Sequence, residues 1–401
     1  MLDQPFIKAK PVMETLEDNG YECFFVGGAV RDCLISRHIG DIDIATNATP
    51  NDMQRIFPKT VPVGIEHGTV LVIHNGESFE VTTYRTEGEY KDYRHPSEVS
   101  FVKDVKLDLS RRDFTINAIA MDLEGNLLDP FDGKKDLNER VIRTVGNPHD
   151  RFTEDPLRML RGVRFVSQLN FNLDEATLTA ISEQHHLLNK ISVERITDEL
   201  VKLFKHANIN SALKIIRQTG MDQSLPIFKD RHHIFSRLNK MVFNQPLNHA
   251  GVMFAIFHLI DPNISLHTWT KTYKVSNNIK RKAIHLIDSY KSYQDQGMSN
   301  VVLYNVGKQL PDLLQIIKLF NLKSYNIKEL QSQYQSLPIK DRSELIVTGQ
   351  NLLQWFPHEK RGQWIGKYLN RIEEAVIKGE LQNSREEIES KVREWKRQEN
   401  D

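Results

Sequence analysis

Two aspartates, Asp41 and Asp43, stand either side of Ile42 and follow a glycine pair, Gly27-Gly28. On a strand, alternate side chains share a face, so Asp41 and Asp43 would project together while Ile42 and Ile44 point into a core. Two carboxylates held side by side repel each other, and a divalent cation relieves that repulsion. Hard oxygen ligands suit Mg2+, which commonly binds through one or two carboxylates plus substrate phosphates. Taken alone, such a pair is also what a solvated strand face looks like. Gly27-Gly28 changes the weighing, because it falls between a predicted strand, Cys23 to Val26, and a predicted helix, Ala29 to Ser36. There Gly28 lets backbone approach a phosphate, and the helix N-terminus offers unpaired N–H groups. Arg31, in the first turn of that helix, adds positive charge for a triphosphate. A glycine turn serving only as punctuation explains the turn, but neither the arginine nor the acidic strand beside it.

The elements that must position these groups are readable from periodicity. Val12, Met13 and Leu16 mark one face of a helix, and Asp41 to Ala45 reads as a strand. Thr49 is a capping residue ahead of Pro50, so Asn51 to Phe57 is predicted helical. Val70 to His74 and Ser78 to Tyr84 flank Asn75-Gly76, the signature of a type I′ hairpin. Arg85 to Val99 is polar without a period and reads as a loop long enough to be functional or mobile. The expected head is α+β with a mixed or antiparallel sheet. From Pro148 onward the chain reads as helices with short connections, with boundaries near 148, 210 and 325.

At 401 residues the chain is too long for one core. Its formal net charge is zero, so no global basic field announces nucleic acid, and any RNA surface must come from uneven placement of Lys and Arg. Cys23 and Cys33 have neither zinc spacing nor a disulfide framework, and read as reduced residues of a cytoplasmic protein. The adjacent pairs His185-His186 and His232-His233 read as structural, since neighbouring histidines rarely share one ion.

Gly27-Gly28-Ala29-Val30-Arg31-Asp32, followed by Gly40-Asp41-Ile42-Asp43-Ile44-Ala45-Thr46, resembles the first motif of the class II tRNA nucleotidyltransferase and bacterial poly(A) polymerase family, which is polymerase-β-like. The resemblance implies that Asp41 and Asp43 are catalytic and bind the metals of nucleotidyl transfer. A third carboxylate often joins from a neighbouring strand; Glu80 is the candidate here, with an ordinary surface glutamate as the equal alternative. Arg111-Arg112-Asp113-Phe114-Thr115-Ile116-Asn117-Ala118 resembles the second motif, implying Arg112 on the nucleotide and Asp113 as a ribose partner.

Glu154-Asp155-Pro156-Leu157-Arg158, continuing to Arg161 and Arg164, resembles the family's E-D-x-x-R motif. Pro156 suits a first turn, which leaves Asp155 at or near a helix cap. Arg158 and Arg161 fall on adjacent turns, while Arg164 drifts around the helix by about 60° per three-residue step. Cytosine and adenine each present an exocyclic amine beside an unprotonated ring nitrogen, so Asp155 can accept from the amine and Arg158 donate to the nitrogen. Uracil and guanine present the opposite pattern. Ser192-Val193-Glu194-Arg195-Ile196 resembles a segment that supports this helix, with Glu194 and Arg195 structural.

Within the family, relatives that add only the two cytidines lack the loop between the first two motifs. Thr83 to Pro96 resembles that loop intact, which implies complete CCA addition. Gly64 to Val70, and Leu337-Pro338-Ile339-Lys340 with Glu344-Leu345, are similar to the compact CCA-adding enzymes of Gram-positive bacteria. That resemblance implies a nucleotidyltransferase head (1–147), a base-reading neck (148–210), and a helical body (211–325) and tail (326–401) that hold tRNA. It also implies CTP and ATP as substrates, tRNA as partner, no membrane association, and a homodimer. Repeated adenosine addition to RNA is the sister activity. A binding protein that keeps the fold without catalysis is the rival of another class, and it has no need of the acidic pair.

Overall fold

The computed structural model describes residues 4–88, 93, 98–321 and 323–399. They form two compact units, Met1–Pro246 with Lys271–Lys274, and Leu247–Thr270 with Val275–Asp401.

The first unit is built on a seven-stranded sheet. Its strands are β1 (Cys23–Val26), β2 (Asp43–Thr46), β3 (Thr60–Gly64), β4 (Thr69–His74), β5 (Glu77–Thr83), and two short ones beyond a separate ribbon. The ribbon is β6 (Arg85–Glu87) paired with β7 (Val99–Phe101), and the short strands are β8 (Ala120–Met121) and β9 (Leu127–Leu128). The sheet order is β3-β4-β5-β2-β1-β8-β9, with β2 parallel to β5 and the other pairs antiparallel, so the sheet is mixed. The apolar run of β1 suits a central strand, with its residues divided between cores on the two sheet faces. Against one face packs α1 (Gln4–Asp18), whose Phe6, Ala9, Val12, Met13 and Leu16 are buried, with the Phe6 ring 4.8 Å from that of Phe25.

Short helices follow the strands: α2 (Gly28–Leu34), α3 (Pro50–Ile56), α4 (Val105–Ser110) and α5 (Gly133–Glu139). Thr49 and Asp52 close a capping box at α3, and Asn75 and Gly76 both take positive φ, as a type I′ turn requires. Then come α6 (Pro148–Glu154), α7 (Leu157–Leu169), α8 (Glu175–Gln184) and α9 (Val193–Phe204). Helix α7 is anchored to the head: Phe165, Val166 and Leu169 join the core beneath the sheet, and Phe114 meets Phe165 edge-on at 5.7 Å. On another side it packs along α9, with Ser167 Oγ donating to the Leu203 carbonyl at 2.8 Å.

Two expectations are corrected. Strand β2 begins at Asp43, so Asp41 precedes it and is not held by strand alternation. The stretch from Arg85 to Val99 is closed at its base by the β6–β7 ribbon, because Thr86 and its neighbours find backbone partners across from Val99 to Phe101. Residues 89–92 and 94–97 of that stretch lie outside the described residues.

The second unit is all helical among its described residues. Ala250–Ile260 is apolar on every side and buried, with Trp269 fully enclosed against Phe257. A further core gathers Leu352, Trp355, Ile372, Val376, Val392 and Trp395, so these tryptophans are packing anchors. No helix among the described residues is long and apolar enough to cross a membrane. The architecture is therefore an α+β head with a mixed sheet followed in the chain by a mainly helical remainder.

Gly133 marks a tight joint between α5 and the segment that follows α4. A Cβ there would fall 2.2 Å from the Thr115 carbonyl oxygen and 2.8 Å from Ile119 Cγ1. Gly133→Ala is expected to cost about 1–3 kcal/mol as an overpacked position, read as a lower urea midpoint at unchanged m-value.

Candidate active site

The chain passes from β1 to α2 through Gly27, whose φ of 74° and ψ of −137° favour glycine. A Cβ on Gly27 would sit 3.2 Å from Arg112 Nη1 and 3.5 Å from Asp43 Oδ2, so the turn lies wedged between an arginine and a carboxylate. Val26 pairs with Asp43 across the sheet, which brings the glycine turn and the acidic strand together.

A cavity of about 460 Å³ opens beside this turn. Gly27, Gly28 and Asp43 form part of its wall, and six arginines face four carboxylates around it. That excess of positive charge in a recessed site suits an anionic ligand such as a triphosphate. Arg31 is buried; its Nε and Nη2 donate to Asp32 at 2.9 Å, and its Nη1 to Asn117 Oδ1 at 2.8 Å. Arg112 donates to Asp108 Oδ2 at 3.3 Å, while its own Nε is buried with no hydrogen-bond partner. Burial pulls the Arg112 guanidinium below its ordinary range, against the raising effect of Asp108.

Asp113 lines the cavity, yet its oxygens already accept four hydrogen bonds. They come from the Phe114 N–H at 2.9 Å, Asn117 at 3.0 Å, and Arg161 twice at 2.8 and 2.6 Å. Burial alone would raise this carboxyl, but Arg161 and Asn117 hold it well below the usual carboxylate range. Its foremost role in this geometry is to fix Arg161.

Asp155 falls between two helices: it ends α6 in an extended conformation and its Oδ1 accepts from the Leu157 N–H at 3.1 Å. Arg195, from α9, grips both Asp155 oxygens at 3.2 and 2.7 Å. Glu194 is exposed and pairs with Lys274 at 2.6 Å, so it stays clear of the cavity. Arg158 donates to Glu154 at 2.7 Å and to the Arg111 carbonyl at 3.0 Å. Asp155, Arg158, Arg161 and Arg164 all line the one cavity. Arg164 reaches it despite its displacement around α7, held by Glu199 at 2.6 Å and Gln168 at 2.6 Å, with its guanidinium 4.0 Å from the Phe165 ring centre.

Asp41 and Asp43 differ in setting. Asp41 is exposed and faces a second cavity of about 630 Å³, whereas Asp43 is half-buried and borders both. Glu80 is exposed and is the register partner of Asp43 across the parallel β2–β5 pair. Burial, then the charge of Glu80, with Asp41 adding and Arg112 opposing, pushes the Asp43 carboxyl up to about 6. Crowded negative charge that a cation would relieve is what a metal site requires. Among the described residues no three of His, Cys, Asp and Glu close into a metal cluster, Asp41, Asp43 and Glu80 included. Two hard carboxylates open to substrate phosphate fit a divalent ion.

Sequence reasoning missed Glu87, Arg111, Asn117, Phe165 and Gln168 on the cavity wall, and Asp108 and Glu199 behind it. Arg111 and Asn117 lie inside the second motif. Glu199 carries no signal, since its task depends on α9 packing along α7.

Residues 23–143 match the family described as the poly A polymerase head domain, and 170–231 the probable RNA and SrmB-binding site of polymerase A. Residues 248–392 match a putative second domain of tRNA nucleotidyltransferases. Head, glycine turn and acidic strand thus define a nucleotidyltransferase, a class that uses a divalent metal. The chain is 45% identical to the CCA-adding enzyme of Oceanobacillus iheyensis over 98% of both chains. It is 42% identical to that of Bacillus licheniformis over 97% of this chain and 98% of the relative. The crystal structure of the Bacillus stearothermophilus CCA-adding enzyme in complex with CTP superposes with a TM-score of 0.89 at 35% identity, covering 100% of this chain and 99% of that one. The chain belongs to the family of CCA-adding enzymes.

The raised Asp43 carboxyl gives a pH test. If Asp43 is a metal ligand it binds ionised, so below about 6 a proton must leave first. Apparent metal affinity is expected to fall about tenfold per pH unit below that point and to level off above it. Calorimetry at pH 5.5 in two buffers of different ionisation enthalpy should detect proton release, absent at pH 8 and absent in Asp43→Asn.

Proposed function

We propose that this enzyme builds and repairs the 3′-terminal CCA of tRNA, adding C, C and A one at a time from CTP and ATP. The observation that carries this reading is the cavity itself, where Asp155 and Arg158 share a wall with the glycine turn and Arg112. The acceptor 3′-hydroxyl oxygen bonds to the α-phosphorus as the bond to the pyrophosphate oxygen breaks. Asp41 and Asp43 are the residues that hold the metal, with Glu80 as an added carboxylate, and Mg2+ is the ion best matched to them. When bound, one such ion would supply activation of the acceptor hydroxyl and a second neutralisation of charge on the departing pyrophosphate.

Everything else falls to the protein's own groups. Gly28, Arg31 and Arg112 cradle the phosphates, with backbone N–H groups at the start of α2 adding to the positive field. Asp155 accepts from the exocyclic amine of cytosine or adenine, and Arg158 donates to the adjacent ring nitrogen. Arg195 and Glu154 keep the two readers in place. Uracil and guanine would set donor against donor and acceptor against acceptor, and such mismatches in a recessed polar site are rejected strongly. Arg161 and Arg164 extend the cationic wall, and Asp113 orients Arg161 toward the sugar side.

We assign residues 1–147 to the catalytic head, 148–210 to the neck, and 211–325 and 326–401 to a body and tail that hold tRNA. A cytoplasmic homodimer completes the reading, on the strength of the family resemblance, and light scattering of the purified protein tests the dimer.

The deciding experiment supplies purified protein, Mg2+, CTP and ATP to tRNA trimmed of its 3′ end, with product ends read by sequencing. Addition that stops at CCA is expected; long adenosine tails would make the enzyme a poly(A) polymerase, and no extension would leave a binding module. Asp41→Ala should abolish transfer with tRNA binding intact. Arg158→Ala removes charged hydrogen bonds worth about 1.5–3 kcal/mol, so discrimination of CTP over UTP should fall about 10- to 100-fold. Unchanged discrimination would remove Arg158 from base reading.

A further inference from the structure

Behind the cavity wall lies a carboxylate that no part of the proposed mechanism uses. Asp108 is 1% exposed and does not border the cavity. It sits on α4, whose Val105 and Leu109 are buried in the core with Val26, Ala45 and Tyr84, so its backbone position is fixed. Its Oδ1 accepts from Arg111 Nε at 2.9 Å and from the Arg85 N–H at 3.3 Å. Its Oδ2 accepts from Arg112 Nη2 at 3.3 Å. One buried carboxylate thereby bridges two arginines of the wall and the first residue of the β6–β7 ribbon.

Arg112 depends on this contact. Its Nε has no partner, and its Nη1 is pressed toward the glycine turn, so Asp108 is the carboxylate to which its guanidinium is bonded. A guanidinium without its acid would stay half-buried and uncompensated, or swing out of the wall. Burial works to raise the Asp108 carboxyl, but Arg111 and Arg112 outweigh it and keep it ionised.

We infer that Asp108 is a positioning residue for nucleotide binding, acting through Arg112 by holding its guanidinium at the mouth of the glycine turn. This rests on the assignment of Arg112 to the nucleotide phosphates. The carboxylate never meets the substrate; it sets where the positive charge stands when the triphosphate arrives.

Asp108→Asn is the sharp test, because an amide keeps the size but offers one accepting and one donating end. One of the two arginines must then face an NH2 group. In the full-length enzyme with trimmed tRNA, KM for CTP and for ATP should both rise by about tenfold or more, with kcat changed far less and the CTP-over-UTP preference kept. A merely structural role would lower kcat or the melting temperature and leave KM in place, and that result overturns the inference. The double variant Asp108→Asn/Arg112→Ala supplies the second reading. If Asp108 acts through Arg112, the double variant binds nucleotide no worse than Arg112→Ala alone; additive losses overturn the inference. Should Asp108→Asn accumulate poorly, Asp108→Ser, which leaves room for water, enters the same cycle. If Arg112→Ala itself leaves KM unchanged, the phosphate assignment of Arg112 fails first, and the cycle separates that failure from this one.

Discussion

Gathering six guanidinium groups around one cavity carries a desolvation cost and mutual repulsion, and the structure answers with an oxygen acceptor for each. Arg31 is held by Asp32 and Asn117, Arg111 and Arg112 by Asp108, and Arg158 by Glu154 and a backbone carbonyl. Arg161 is held by Asp113, and Arg164 by Glu199 and Gln168. The acceptors come from α2, α4, α6, α7, α9 and the segment after α4, so the cavity exists only when all of these are docked. Charge balance at the site and assembly of the first unit are one constraint seen at two scales.

This arrangement explains why the wall can be rigid and still receptive. Each guanidinium has five N–H donors, and the protein consumes only some of them. Those left over are held in direction by those already engaged, so little ordering remains to be done when a nucleotide binds. Asp155 follows the same logic with opposite sign: Arg195 engages both oxygens yet leaves lone pairs for a base edge. Asp43 on β2, with Asp41 and Glu80 near it, is the exception: its carboxyl is raised by burial and by Glu80 more than Arg112 lowers it, a deficit that a metal ion would satisfy.

Much of the site could be read in the sequence because its spacing is local. Gly27-Gly28 with Arg31 sits in a short strand-to-helix window whose periods are plain, and Asp43 heads the strand read from Asp41 to Ala45, although Asp41 itself falls just before it. Asp155 at a cap ahead of Pro156 follows from proline chemistry alone, and the hairpin at Asn75-Gly76 from the φ its turn demands. Asp108 could also have been found, since it stands three and four residues before Arg111 and Arg112, the spacing of helical ion pairs. The β6–β7 ribbon could not, because its strands are three residues long and their pairing depends on contacts across the intervening stretch.

By itself the sequence determined the family and its class of chemistry, the motifs that gather at the cavity, and the order of an α+β head before helices. Tertiary structure alone decided which partner each charged group takes. It engaged Asp113 with Arg161 and Asn117, brought Glu199 from α9 to Arg164, and set Asp41 outside the strand that carries Asp43. The physical reason is range: periodicity and capping act within a few residues. A buried charge is settled by whichever opposite charge the packing brings near, and in this protein that partner is often more than thirty residues away.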